Sequence, residues 1–222
     1  MPYSASHASS TVVLSAAYFP PIEYFFAIAR SGRVLIEQHE FYQKQSYRNR
    51  CRILSSQGAK SLSIPVVKDS GHSRPVRDIR IDYSYPWLQQ HRRAIEAAYN
   101  SSPFYLYYKD DFEEIFERRP EFLFDLDLQL LEKLLEMVGL RAEIALTETF
   151  VKDYSALTAD EAMPYPDLRE RIHPKFHGPS LMDESGVPQE YFQVFAPRLG
   201  FHPNLSILDL LCSEGPNAIS FL

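Results

Sequence analysis

The feature that most constrains this sequence is a strand, helix and strand pattern that fills about 28 residues near the N-terminus. Thr11 to Ala17 is apolar and β-branched, which predicts a buried strand. Apolar side chains then recur at helical spacing over residues 22–29, after Pro21 and before Gly32. Arg33 to Gln38 predicts a second strand. A unit of this size is typical of a βαβ crossover, so we expect the two strands to be parallel.

The rest of the chain predicts a hairpin followed by a mainly helical region. Tyr47 to Ser55 and Lys60 to Val67 are β-like, and the turn formers between them favour a hairpin. The later patterns predict a strand over Val76–Asp82, helices over 87–98, 104–118 and 122–138, and a short strand over 142–146. Near the end, Ser206 and Asp209 have the S-x-x-D spacing of a capping box before Leu210-Leu211, and Pro216 can begin a last short helix after Gly215. We therefore expect an α/β fold: a single domain over residues 1–222 with a mixed, mostly parallel sheet flanked by helices, a helical C-terminal half, and a loose N-terminal tail over residues 1–10.

Charge and cysteine content limit the partners and the compartment. With 23 Lys and Arg against 29 Asp and Glu, the net charge is -6, which excludes a broad electrostatic grip on nucleic acid or anionic lipid. We expect no signal peptide and no membrane span, because the first ten residues carry no Lys or Arg and the apolar stretch after them is short. Cys51 and Cys212 form no CxxC motif, which favours a cytoplasmic location. The sequence does not specify an oligomeric state.

A basic run interrupts this acidic chain between Phe41 and Arg52. Lys44, Arg48, Arg50 and Arg52 occur there without one acid. In an extended strand the three arginines would share one face, spaced about 7 Å apart, and arginine forks bind phosphate or carboxylate groups. The alternative is a charged strand edge that prevents aggregation, or arginine stems that cover aromatic rings.

Two histidines are candidates for acid–base chemistry. His91 lies one helical turn after Trp87 on the same apolar face, so it is either a buried structural residue or a general acid or base at a pocket wall. His39 follows a predicted strand end. Ligands in open α/β sheets bind beyond the carboxyl ends of strands, a rule that places His39 near the turn at Tyr18-Phe19 and makes Tyr18 a candidate for substrate binding.

We expect no metal and no cofactor. His173 and His177 have the spacing of a helical metal pair, but Pro174 and Gly178 argue against a helix there. The chain also lacks the dinucleotide, P-loop, serine-hydrolase and zincin motifs.

The order of several short blocks resembles the WbqC-like family of bacterial proteins, from about Val12 to Leu222. The blocks are Tyr18–Phe25 (YFPPIEYF), Asn49-Arg50 after Lys44, Leu62–Val66 (LSIPV), the pair Trp87 and His91, Gln193–Phe195 (QVF), and Asn204–Leu211 (NLSILDLL) followed by Gly215-Pro216. One departure is Ala16-Ala17, where many members have Gln-Pro before the aromatic pair.

The resemblance implies a role in bacterial surface-polysaccharide synthesis. The family is largely uncharacterised and is associated with O-antigen gene clusters, and a transferase that moves glycine or another acyl group onto a sugar has been suggested for it. In such a reaction the amide of Asn49 suits polarising a carbonyl group.

Two hypotheses follow. In the first, the protein is a cytoplasmic transferase in which Lys44, Arg48 and Arg50 bind an anionic small-molecule donor or nucleotide sugar, with His91 or His39 as the base. In the second, it is a non-catalytic binding or scaffolding protein whose basic face docks a partner. Nucleotidyl transfer is a further enzyme reading, but Pro21-Ile22-Glu23-Tyr24 stands where paired histidines are expected.

Overall fold

The chain folds around a three-stranded parallel sheet in a computed structural model that describes residues 10–68, 74–154, 166–187 and 190–222. The five strands of the described residues are β1 (Thr11–Ser15), β2 (Arg33–Glu37), β3 (Arg50–Ser55), β4 (Gly58–Ser63) and β5 (Glu143–Leu146). The helices described are α1 (Ile22–Ala29), α2 (Trp87–Tyr99), α3 (Tyr105–Arg118), α4 (Leu123–Val138), α5 (Leu181–Ser185), α6 (Ala196–Leu199) and α7 (Ile207–Glu214), with 3-10 helices at Val76–Asp78 and Gly215–Phe221.

The parallel sheet has the strand order β1-β2-β5. β1 and β2 pair in parallel with Val13 opposite Leu35, and α1 connects them, which confirms the predicted βαβ unit. Beyond β1, the backbone N–H of Leu168 donates to the Val13 carbonyl and the N–H of Val13 donates to the Pro166 carbonyl. The chain at residues 166–168 therefore extends the sheet on its free side.

The predicted hairpin is confirmed, and it forms a sheet of its own. β3 and β4 pair antiparallel from Arg50 opposite Ser63 to Ser55 opposite Gly58. The strand predicted from Tyr47 begins only at Arg50, because the chain at residues 44–49 forms turns. The strand predicted over Val76–Asp82 is wrong: the chain there forms a short 3-10 helix followed by isolated bridges.

Helices supply most of the second half, as predicted. The three long helices begin and end within one residue of the predicted bounds. The Ser206 hydroxyl caps α7 by accepting the N–H of Leu208. The predicted capping box is wrong, because the Asp209 carboxylate instead accepts hydrogen bonds from the Tyr191 hydroxyl at 2.6 Å and the Gln193 amide at 2.9 Å.

One continuous apolar cluster runs from Val12 to Leu222 and packs the parallel sheet against the helices. The α/β class with a helical C-terminal half is confirmed, and one domain over residues 1–222 stays a prediction. The predicted N-terminal tail lies outside the described residues apart from Ser10. No helix within the described ranges is long and apolar enough to cross a membrane.

One of the buried carboxyl groups belongs to Asp127. Asp127 of α4 is 1% exposed, and neither of its carboxylate oxygens has a hydrogen-bond partner among the described residues. Burial raises the pKa of Asp127 well above its usual range, and the charge of Arg48 offsets this only in part. The folded protein therefore holds Asp127 in its neutral form more readily than the unfolded chain does.

We expect Asp127→Asn to raise the free energy of unfolding at pH 8 by about 1 kcal/mol or more. Because the pKa of Asp127 is higher in the folded protein than in the unfolded chain, the wild type loses stability as the pH rises past the ordinary carboxyl range. The amide of the Asp127→Asn variant does not titrate, so the variant avoids this loss. The gain should vanish near pH 3, where both states of the wild type are protonated. Urea unfolding across this pH range measures the difference.

The matched control is Glu132→Gln, which removes an exposed carboxylate from the same helix. A pH dependence equal to that of Asp127→Asn would contradict the assignment of the effect to the buried group.

Candidate functional site

The carboxyl ends of the parallel strands bring polar side chains from distant parts of the chain to one edge of the sheet. Ser15 ends β1, Glu37 ends β2, and Thr147 directly follows β5. Asp167 lies beside β1 in the extension of the sheet. Ligands of open parallel sheets bind at this edge, so the candidate site begins here.

Glu37 is the most buried charged residue at this edge, with no exposed surface. Its carboxylate accepts hydrogen bonds from the Thr147 hydroxyl at 2.9 Å and from the backbone N–H of His39 at 2.6 Å. It also accepts one at 3.2 Å from the guanidinium of Arg169. A buried carboxylate is costly unless it is paired and hydrogen-bonded, so Glu37 depends on all three groups.

Arg169 connects Glu37 to two further parts of the chain. Its Nε and Nη2 atoms donate to the Asp167 carboxylate at 2.9 and 2.5 Å. Nη2 also donates to the carbonyl oxygens of Val151 and Lys152 at 2.9 and 3.1 Å. Burial alone would lower the pKa of Arg169, but Asp167 and Glu37 outweigh it and raise that pKa, so the guanidinium stays charged. The loop after β5 is thereby fixed to the end of β2.

A second buried ion pair stands beside the first. Arg48 is 1% exposed and donates to the Glu40 carboxylate from Nε at 2.9 Å and from Nη2 at 2.5 Å. Its Nη2 atom also donates to the Ser15 hydroxyl at 3.0 Å, which attaches the pair to the end of β1. Arg48 and Arg169 line the same void, which has a volume of about 10 Å³ and fits about one water molecule.

A cleft of about 500 Å³ opens over these ion pairs. Two phenylalanine rings in its lining are unusually exposed, Phe41 at 56% and Phe150 at 49%. The rest of its lining is polar and carries both signs of charge: Glu40, Gln43, Lys152, Asp153, Asp167, Arg169 and Glu170. This sheet-edge cleft combines apolar rings with many hydrogen-bonding groups, which is the lining expected for a polar small molecule with a carbon skeleton.

Two of the residues predicted from the sequence lie at this edge. Arg48 supports the cleft floor through Glu40. The Nε2 atom of His39 lies 3.0 Å from the Thr147 carbonyl oxygen. A carbonyl oxygen can only accept a hydrogen bond, so Nε2 is the donor. In the neutral ring the proton is therefore on Nε2, and Nδ1 is the acceptor.

Tyr18 and His91 are brought together, but inside the core. The Tyr18 hydroxyl lies 2.9 Å from Nδ1 of His91, and the two side chains are 0% and 4% exposed as residues. Burial lowers the pKa of His91 to about 4, although a hydrogen bond to the backbone of Ser63 opposes this. His91 is therefore neutral near pH 7, and it packs against Trp87 rather than in the sheet-edge cleft.

The remaining predicted residues lie outside the sheet-edge cleft, in the turns at residues 44–49 and at the start of the hairpin. Lys44 is exposed. The Asn49 amide donates to the Ile64 carbonyl at 2.8 Å, and its buried oxygen has no partner among the described residues. Arg50 donates to the Ser63 hydroxyl at 3.0 Å. The three arginines do not share one face as predicted, since Arg48 precedes β3 and turns inward.

Sequence reasoning missed the residues that build the cleft. Arg169 follows Asp167 by two residues, so the two oppositely charged side chains can lie on the same side of an extended chain. This spacing is the signal from which the ion pair could have been predicted. Glu37 and Thr147 are polar residues at the ends of predicted strands. Their hydrogen bond could be predicted only by knowing that the two strands are neighbours in the sheet. Within the described ranges, no group of three or more His, Cys, Asp or Glu side chains is placed to hold a metal ion.

Comparison with known proteins agrees with the resemblance found in the sequence. The sequence model of the WbqC-like protein family matches residues 16–164, about two thirds of the chain. A protein of Mycobacterium tuberculosis named "Uncharacterized protein Rv1507c" is 26% identical over 227 residues, which cover 95% of this chain and 96% of that protein. No solved structure matches the chain.

We expect Glu37→Gln to lower the free energy of unfolding by about 3 kcal/mol, because it leaves Arg169 buried without one of its two anionic partners. Urea denaturation at neutral pH measures this loss.

The matched control is Glu143→Gln, which breaks the exposed ion pair between Glu143 and Arg33 at 3.1 Å on the same sheet. Its cost should stay below about 1 kcal/mol. Equal losses for the two variants would show that the buried pair does not hold the strand ends together.

Proposed function

This chain belongs to the WbqC-like protein family, and we propose that it is a cytoplasmic transferase of bacterial surface-polysaccharide (O-antigen) synthesis. Its substrate is a sugar or nucleotide-sugar intermediate that binds in the sheet-edge cleft. The transferred group is an acyl or aminoacyl group, of which glycine is the simplest. The observation that carries the proposal is the combination of exposed phenylalanine rings with fixed charged groups in one cleft.

The lining suits a sugar for chemical reasons. The apolar face of a sugar ring packs against aromatic rings such as Phe41 and Phe150, while its hydroxyl groups need acceptors and donors around the rim. Gln43 and Glu170, which hydrogen-bond to each other at 3.2 Å, supply both kinds of group. A volume of about 500 Å³ accommodates a sugar together with part of a donor.

The anionic part of a nucleotide sugar or activated donor needs positive charge. Lys152 is exposed in the lining, and Arg169 lies below it with its charge held by Glu37 and Asp167. Arg169 is already paired, whereas the Lys152 ammonium forms no ion pair within the described ranges, so Lys152 is our proposed group for steering an anion.

In the proposed reaction, a hydroxyl or amino group of the sugar attacks the acyl carbon of the donor. The new bond forms to the sugar oxygen or nitrogen, the bond from the acyl carbon to the leaving group breaks, and the sugar proton passes to a base. His39 is our proposed base: it directly precedes Glu40 of the cleft lining, it does not itself line the cleft, and its Nδ1 is the acceptor nitrogen of the neutral ring. The roles predicted for Tyr18, Lys44, Asn49 and Arg50 remain predictions from the sequence, as does a catalytic role for His91.

A second candidate is a non-catalytic binding protein of the same pathway. It is favoured by one observation: Lys44 is exposed at a turn and Arg50 lies on the hairpin, and neither lines the sheet-edge cleft. In this case a ligand binds in the cleft without turnover, while the basic surface contacts a protein partner.

We expect UDP-, GDP-, dTDP- or CMP-linked sugars to include at least one that raises the melting temperature of the protein. Phe150→Ala should weaken the binding of that nucleotide sugar about five- to tenfold, because the sugar ring no longer stacks on the phenyl ring. Isothermal titration calorimetry measures the change, and mass spectrometry of the sugar after incubation with acyl donors detects turnover.

Phe192→Ala is the matched control, since Phe192 is 53% exposed and lies outside the cleft lining. It should bind the same sugar as the wild type does. The proposal fails if no nucleotide sugar binds or if Phe150→Ala binds as tightly as the control, and binding without any acylated product would favour the second candidate.

A further inference from the structure

A second, smaller cavity lies where the first turn of α1 meets the chain around residues 171–180. Its volume is about 100 Å³, and its lining includes Glu23, Arg52, Arg171, His173, Ser180 and Asn204. Two arginines, a histidine and small polar groups in so small a space are typical of a site for one compact polar group.

Arg171 reaches this cavity in a fixed position with one side of its guanidinium unused. Its Nη2 atom donates to the Glu184 carboxylate at 3.0 Å and to the Pro179 carbonyl oxygen, and the guanidinium lies 4.0 Å above the centre of the Phe176 ring. The Nη1 atom is buried and has no hydrogen-bond partner among the described residues. A charged donor is therefore held in place without an acceptor.

His173 contributes a second donor without a partner. Its Nδ1 atom accepts the backbone N–H of Lys175 at 3.1 Å, so the proton of the neutral ring must be on Nε2. Burial lowers the pKa of His173, which keeps the ring in this neutral form near pH 7. Nε2 is buried and has no acceptor within the described part of the chain. A buried donor without a partner destabilises the folded protein, and a bound acceptor removes that cost.

The charges of the cavity favour an anion. Arg52 is exposed on β3, where its side chain hydrogen-bonds to Tyr47, and it forms no ion pair with a carboxylate in the part of the chain that the structure describes. Glu23 opposes it, but burial raises the pKa of the Glu23 carboxyl, and that side chain already accepts the Leu181 N–H at 3.4 Å. The lining therefore sets two guanidinium groups against one carboxyl group.

We propose that this cavity binds a single oxyanion group, phosphate or carboxylate, at a site separate from the sheet-edge cleft. The oxygens of the anion accept from Arg171 Nη1 and His173 Nε2, and Arg52 closes over the open side. A cavity of about 100 Å³ admits one phosphate or carboxylate group, and the rest of a larger molecule must remain outside. The inference does not depend on the proposed transferase activity.

Isothermal titration at constant ionic strength tests the site with three probes: inorganic phosphate, acetate and glucose 1-phosphate. We expect saturable binding of phosphate or acetate at millimolar concentration or below. If glucose 1-phosphate also binds, the site accepts the phosphate group of a larger metabolite. If glucose 1-phosphate does not bind, the site accepts a free anion.

Arg52→Gln should weaken the binding of the probe about tenfold or more, because it removes a charge-assisted hydrogen bond to the anion from an exposed position. His173→Phe, which keeps a planar ring but lacks the N–H, should weaken it as well. The matched control is Arg118→Gln, an exposed arginine that pairs with Glu114 outside the cavity, and it should bind like the wild type.

Two results would overturn the site. One is the absence of saturable binding of any of the three probes to the wild type, which means that only water fills the cavity. The other is binding that Arg52→Gln and His173→Phe leave as tight as in Arg118→Gln, which would place the anion elsewhere.

Discussion

The buried carboxylate of Glu37 is the constraint on which the sheet edge depends. Glu37 ends β2, which pairs with β1 along one edge and with β5 along the other. Because the side chain is fully buried there, its charge can be neutralised only by groups from other parts of the chain. Arg169 supplies that charge and, with its remaining N–H groups, binds Asp167 and the carbonyl oxygens of Val151 and Lys152. One guanidinium therefore fixes the positions of three chain segments.

The cleft is a consequence of this arrangement. Because Arg169 and the neighbouring Arg48 each bind a buried glutamate, the loops that carry them stay at the rim of the sheet and leave a hollow between Phe41 and Phe150. Of the basic run singled out in the sequence, Arg48 is used for this purpose, whereas Lys44, Arg50 and Arg52 lie outside the cleft lining. A ligand meets a preorganised polar floor, and few loose cationic side chains are left to close over it.

The local elements could be predicted from the sequence, whereas the partners of the site could not. The βαβ unit, the hairpin and the long helices follow from hydrophobic spacing, which depends on near neighbours. Arg48 was recognised as important, but its partner Glu40 was not, because only the turns at residues 44–49 direct its side chain inward. Arg169 was missed because its partner Glu37 lies 132 residues away, and such a pairing depends on the strand order.

The central claim is that Arg169 holds the chain segments around the end of the sheet in place, and hydrogen–deuterium exchange of Arg169→Met tests it most directly. The account predicts faster amide exchange in residues 147–154 and 166–171, while α4 and the β3–β4 hairpin stay as protected as in the wild type. Amide exchange in residues 147–154 and 166–171 that is as slow as in the wild type would contradict the account.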